Sequence, residues 1–145
     1  MINANNLITF AKTIYGEARG ESFDGRLAVG WVVFNRMKLA QKNKRKASQF
    51  GLTISDVCKK KWQFSCWNEN DPNFKIINDD KILNDPIFND CLYVADGILG
   101  SLFNVDVTIG ATHYHSRHVD FPKSWGDKKT PCVVIGNHLF YNNVA

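Results

Sequence analysis

Hydrophobic positions follow one period through most of the chain and another near its end. In "NNLITFAKTIY" the apolar residues Leu7, Ile8, Ala11, Ile14 and Tyr15 recur at helical spacing. Asn5 or Asn6 is placed to cap that helix. Gly16 is a stop signal, although a helix can run past a glycine. "SFDGRLAVGWVVFNRMKLAQ" predicts a second helix capped by Ser22. Its apolar residues are too dense for one stripe, which predicts a central, mostly buried helix. Gly30 inside it costs about 1 kcal/mol relative to alanine, so a close approach by another backbone is expected there. "KRKASQFGLTISDVCKKK" reads as a basic loop and a short helix capped near Ser55, and "WQFSCWNENDPNFK" reads as irregular. "NDPIFNDCLYVADGILGSL" predicts a third substantial helix, with Asp85 as cap and Pro86 in its first turn.

The pattern then changes. "ATHYHS", "CVVIG" and "HLFYN" are short, β-rich and separated by turn residues. Helices first and a small antiparallel sheet or hairpin afterwards predict an α+β fold, predominantly helical. At 145 residues the chain is expected to form one domain, 1–145. An apolar fraction of 44% against 22% charged residues argues against disorder. No apolar run approaches the ~18 residues of a membrane span. "MINANNLITF" lacks a signal peptide's basic start and long apolar stretch, so synthesis in the cytoplasm without an export tag is expected. Stable membrane insertion is not expected.

The cysteines, Cys58, Cys66, Cys91 and Cys132, contain no C-x-x-C pair. Free thiols are expected, and a zinc knuckle is not. The net charge of +4 is uneven: "RMKLAQKNKRK" and "CKKKW" are basic, whereas Glu69 to Asp96 is rich in aspartate. A basic face attracts an anionic polymer, nucleic acid or an acidic envelope, but it also describes a solvated helix end.

Candidate chemistry concentrates in "TIYGEARGES". Glu17 lies where the first helix ends, at the negative end of its dipole. Apolar walls would add desolvation in the same direction, keeping the carboxyl group protonated as a general acid requires. The alternative is an ion pair with Arg19 or Arg26. Glu21 precedes the second helix, whose positive end favours the charged form; it is a base or a structural cap. "QFSCWN" sets Gln63, Ser65 and Asn68 among Phe64 and Trp67, an arrangement suited to a carbohydrate cleft or to a core edge. "ATHYHSRH" places His113 and His115 on one face of a strand and Tyr114 on the other. With His118 and Asp120 the histidines form a metal-site alternative, although no H-E-x-x-H is present.

"AKTIYGEARGES", "GRLAVGWVVFNRM", "QFSCWN", "ATHYHS" with "FPKSW", and "IGNHLFY" occur in that order from about residue 7 to 142. Together they resemble the cell-wall hydrolase family of the spore-cortex-lytic enzyme SleB. The resemblance implies a lysozyme-like α+β fold that cleaves peptidoglycan between N-acetylmuramic acid and N-acetylglucosamine. It implies lytic transglycosylase chemistry, leaving 1,6-anhydromuramic ends, in preference to a hydrolytic muramidase. By resemblance Glu17 is the catalytic acid and Glu21 supports the cleft. Gln63, Phe64, Ser65, Trp67, His113, Tyr114 and His115 are then substrate-binding or supporting residues. No metal or cofactor is expected, and the partner is the peptidoglycan glycan strand, met by a monomer with electrostatic help from an anionic envelope. A phage or prophage endolysin acting on the host wall fits a lone basic catalytic domain. Two other classes remain distinct: a basic nucleic-acid-binding module using Lys42 to Lys46 and Lys59 to Lys61, and a zinc hydrolase built on His113, His115 and His118.

Overall fold

The computed structural model describes residues 3–145. Helix α1 spans Ala4–Ala18 and is capped by Asn3, whose side chain accepts from the amides of Asn5 and Asn6. The cap thus lies two to three residues before the expected asparagines. The helix runs through Gly16 to Ala18. Helix α2, Phe23–Lys42, is capped by Ser22 as the sequence predicts, and buried residues occur on every side of it. It is the central element. Gly30 is explained by side chains, not backbone: a Cβ there would lie 2.7 Å from Ile98 Cδ1 and 3.3 Å from Ile14 Cδ1.

Asn43 ends α2 and caps α3, Lys44–Phe50, in a stretch expected to be a loop. The run of lysine and arginine hides one apolar anchor, the fully buried Phe50. The Lys46 stem packs with it, its ammonium 5.4 Å from the ring centroid. Helix α4, Ile54–Lys59, is capped by Thr53, while Ser55 bonds Asn6 on α1. Helix α5, Pro72–Ile77, falls in the segment expected to be irregular and is capped by Asp71. Helix α6, Pro86–Leu99, has the expected Asp85 cap and first-turn Pro86.

Three strands follow: β1 (His113–Ser116), β2 (Val133–Ile135) and β3 (His138–Tyr141). They form an antiparallel sheet in the order β1-β3-β2. Tyr114 faces Phe140 across the ladder, and Phe140 faces Val133. The fold is α+β, as the pattern predicts. One large core joins α1, α4, α6 and much of α2. A smaller one, built from Ala18, Ala28, Val29, Val32, Ala111 and Phe140, seats the sheet on α2. The other sheet face carries His113, His115 and Tyr141, and the β1–β2 loop lays Phe121 and Trp125 over it. Among the described residues no helix is long and apolar enough to cross a membrane.

Candidate active site

Two polar residues in the apolar centre of α2 dock the sheet. Asn35 donates to the carbonyl of Ala111 at 3.0 Å and to Asp106 at 2.8 Å. Arg36 donates through Nε to the carbonyl of Thr112 at 2.6 Å and through an η-nitrogen to Gln63 Oε1 at 2.9 Å. Its buried guanidinium lies over the rings of Phe50 and Phe64, with centroids 5.1 and 4.9 Å away. Burial lowers its pKa to about 10, which leaves it charged at neutral pH. Arg36 thereby ties β1 to the Gln63 segment, and a cleft opens where these elements meet the end of α1.

The cleft has a volume of about 380 Å³, and its lining includes Glu17, Arg36, Trp62, Gln63, His113, Tyr114 and Trp125. Glu17 is the one carboxylic side chain lining it among the described residues. Tyr114 donates its hydroxyl to Glu17 Oε1 at 2.8 Å. The Cys66 amide approaches Oε2 at 3.4 Å. Burial raises the Glu17 pKa, and these hydrogen bonds only partly oppose it. Neither Arg19 nor Arg26 pairs with it. Arg19 donates to Asn73 at 2.7 Å, and Arg26 reaches Asp90 at 3.5 Å.

Gly16 makes this arrangement fit. A Cβ there would stand 2.6 Å from Cys66 Cβ and 2.9 Å from its sulfur. The glycine therefore serves close packing inside α1 and not a chain turn. It lets the 3-10 turn Ser65–Trp67 bring the Cys66 amide to the carboxyl group. Burial pushes the Cys58 thiol up to about 12 and raises that of Cys66 further, so both are neutral. The four cysteines are free.

Glu21 sits elsewhere. Its Oε1 accepts from the backbone amide of Asn137 at 2.8 Å and its Oε2 from the Asn137 side chain at 3.1 Å. His138 Nδ1 stands 3.7 Å from Oε1. Burial alone would raise the Glu21 pKa, but the Asn137 donors, His138 and Arg117 outweigh it and lower it. The β2–β3 turn can lie on the carboxylate because residue 136 is glycine. Its φ is +58°, and a Cβ there would come 2.7 Å from Oε1. Glu21 therefore anchors the hairpin that carries His138, whose ring packs against Tyr114 at 4.9 Å.

Of the other candidates, Gln63, His113 and Tyr114 line the cleft. Phe64 is fully buried beneath Arg36 and is a core residue. Ser65 is exposed at the start of its 3-10 turn, outside the cleft lining. Trp67 donates its indole N–H to Thr13 at 2.8 Å and lines a neighbouring groove. Burial, with Arg36 and Lys46 nearby, depresses the His113 pKa to about 3, so the ring is neutral. Both nitrogens of His115 are engaged: Nδ1 with the Ser116 carbonyl at 2.7 Å and Nε2 with the Tyr141 hydroxyl at 2.8 Å. Because a carbonyl only accepts, Nδ1 carries a proton. His115 thus belongs to the aromatic cluster over the sheet and does not line the cleft. Among the described residues no group of three or more His, Cys, Asp or Glu side chains could hold a metal ion.

Sequence reasoning missed Arg36, Trp62 and Trp125. A signal for Arg36 existed, since "FNRM" places two polar residues directly after the apolar run "LAVGWVVF". Trp62 had one too, as an aromatic between lysines and a polar segment.

A carboxyl group held toward its neutral form in a polar, aromatic cleft is placed for general acid catalysis. The sequence matches the profile of the cell wall hydrolase family over residues 20–141, and the chain belongs to that family. Among solved structures, the catalytic domain of the germination-specific lytic transglycosylase SleB from Bacillus anthracis has a similar fold. The two superpose with a TM-score of 0.62 at 21% identity, covering 97% of this chain and 96% of that one. No curated protein matches the sequence.

Proposed function

We propose that this protein cleaves the glycan strand of peptidoglycan between N-acetylmuramic acid and N-acetylglucosamine, with Glu17 as general acid and then base. The observation that carries the reading is Glu17 itself: the one carboxylic side chain lining the cleft, desolvated toward its protonated form. Glu17 donates its proton to the glycosidic oxygen, and the bond from that oxygen to the muramic C1 breaks. The muramic 6-hydroxyl closes on C1 and gives its proton to the Glu17 carboxylate. The product is a 1,6-anhydro end, the acid is regenerated, and no water is consumed.

Hydrolysis by two carboxyl groups needs a second one about 5 to 5.5 Å away for retention, or about 6.5 to 9.5 Å away for inversion. Glu21, the nearest in sequence, is engaged by the hairpin turn. The single-acid mechanism needs no such partner. The fold relative, a lytic transglycosylase, agrees with this choice. Tyr114 holds and tunes the carboxyl group, and Gln63 and His113 stand beside it with polar atoms for sugar hydroxyl and acetamido groups.

Digestion of purified peptidoglycan in heavy-oxygen water, with mass spectrometry of the released sugars, tests the reading. Anhydro-muramic products without label are expected. One heavy oxygen at the muramic reducing end would instead make the protein a muramidase and bring water into the reaction.

A further inference from the structure

Trp62 is unusual in two respects. Its indole side chain belongs to a residue 72% exposed, the joint highest exposure among the large hydrophobic residues described. Its φ is +69°, a left-handed conformation that a bulky L residue rarely adopts. Neither feature helps the core. Strain at an exposed aromatic residue is retained where the surroundings impose it, and such sites cluster at ligand clamps. Here both sides of the residue are fixed. Helix α4 ends at Lys59, and Gln63 and Phe64 are held by Arg36. The left-handed turn presents the indole between those anchors.

Its position explains what it can do. Trp62 lines the Glu17 cleft and also a second groove of about 530 Å³. That groove is completed by Lys59, Lys61, Trp67, Asn68, Glu69 and Asn70. It shares no other residue with the cleft. Lys61 and Lys59 place ammonium groups 5.4 and 4.9 Å from the rings of Trp62 and Trp67. Trp67 is fixed by its bond to Thr13, on the helix that carries Glu17. Exposed aromatic surface next to amide and charged side chains suits amino-sugar rings, whose C–H faces pack on indole while hydroxyl and acetamido groups take hydrogen bonds.

We infer that Trp62 is a stacking platform for a sugar ring of the glycan strand, joining the two grooves into one track that holds the strand beyond the bond being cleaved. The inference rests on the peptidoglycan-cleaving reading above. It makes Trp62 a binding residue that favours long strands over short fragments.

The test uses the full chain carrying Glu17→Gln to stop turnover, titrated calorimetrically with peptidoglycan fragments of two, four and six sugars. Affinity is expected to rise with length. Adding Trp62→Gly should weaken the six-sugar complex about tenfold and leave the two-sugar complex nearly unchanged, while Trp62→Phe keeps most of the affinity. Glycine relieves the left-handed backbone, so the Trp62→Gly protein should melt no lower than its parent, which excludes misfolding as the cause. In the active background, Trp62→Gly should raise KM on long strands about tenfold with kcat within a factor of two. Equal six-sugar affinity with and without Trp62 would overturn the platform while leaving the cleavage reading intact. A wild-type protein that releases no sugars from peptidoglycan would overturn both.

Discussion

Glu17 lies in the last turn of α1 and Glu21 one residue before the cap of α2, four positions apart in sequence. Their surroundings push them in opposite directions. Glu17 is withdrawn from water among Tyr114 and Cys66, and its pKa is raised. Glu21 receives two Asn137 donors and a nearby histidine, and its pKa is lowered. A break between helices separates them: α1 ends at Ala18 and α2 begins at Phe23. The same spacing on one continuous helix would have put both carboxyl groups on one face. An acid pair in a motif therefore says little about chemistry until the element boundary between them is known. Here one is offered to the cleft and the other secures the hairpin that backs it.

Glu17→Gln should lower peptidoglycan-clearing activity by at least about a hundredfold, the usual reach of general acid catalysis. Its stability should behave in the opposite way. A raised folded-state pKa means that stability is lost as pH rises through that value, because ionisation is then opposed. A neutral glutamine removes this cost, so near neutral pH the variant should melt at or above the wild-type temperature. A melting scan of both proteins at neutral and acid pH checks the sign.

Tyr114→Phe comes next. The tyrosine's hydrogen bond lowers the Glu17 pKa, so removing it raises that pKa further. On the mechanism proposed above, activity needs protonated Glu17, so the alkaline limb of the pH profile should move to higher pH. A pH–rate profile of the two proteins reads it.

Gly16→Ala tests the packing beneath Glu17. The added Cβ meets Cys66 at 2.6 Å. Overpacking of this kind costs about 1 to 3 kcal/mol, more than the ~1 kcal/mol gained in helix propensity. Denaturant unfolding should show a net loss of about 1 kcal/mol, together with reduced activity as the Cys66 amide is displaced.

The smallest effect falls on the other acid. Glu21→Gln keeps the shape of the hairpin contact and loses its charge, which should cost about 1 kcal/mol at neutral pH. Because the Glu21 pKa is lowered in the folded state, its contribution is present above the ordinary carboxylate value and is lost as pH falls through the folded value. The difference from wild type should therefore shrink in acid, and kcat should change less than threefold. A kcat loss as large as that of Glu17→Gln would place Glu21 in the reaction.

Local signals read well in this chain. The Asp85–Pro86 start of α6, the Ser22 cap and the crowded apolar face of α2 each predict the element observed. Asp71–Pro72 carries the same start signal for α5, but only Ile77 is buried there and the periodicity is too short to register. In α3 one anchor, Phe50, outweighs a basic run that looked like loop. The site was legible at Glu17, Gln63, His113 and Tyr114 because the motifs name them. Their geometry was not, since it depends on pairings across the fold. Tyr114 reaches Glu17 over 97 residues and Asn137 reaches Glu21 over 116, distances at which no local pattern speaks. Arg36 was missed for a related reason: a buried arginine is recognisable only through the Thr112 and Gln63 oxygens that receive it.

The two glutamates are held in opposite protonation preferences, Glu17 toward its neutral form and Glu21 toward its charged form. Carbon-13 NMR titration of the glutamate side-chain carboxyl groups, assigned through Glu17→Gln and Glu21→Gln, measures it directly. Glu17 should titrate above the ordinary glutamate value of about 4.3 and Glu21 below it. A Glu17 that titrates at or below Glu21 would contradict the account.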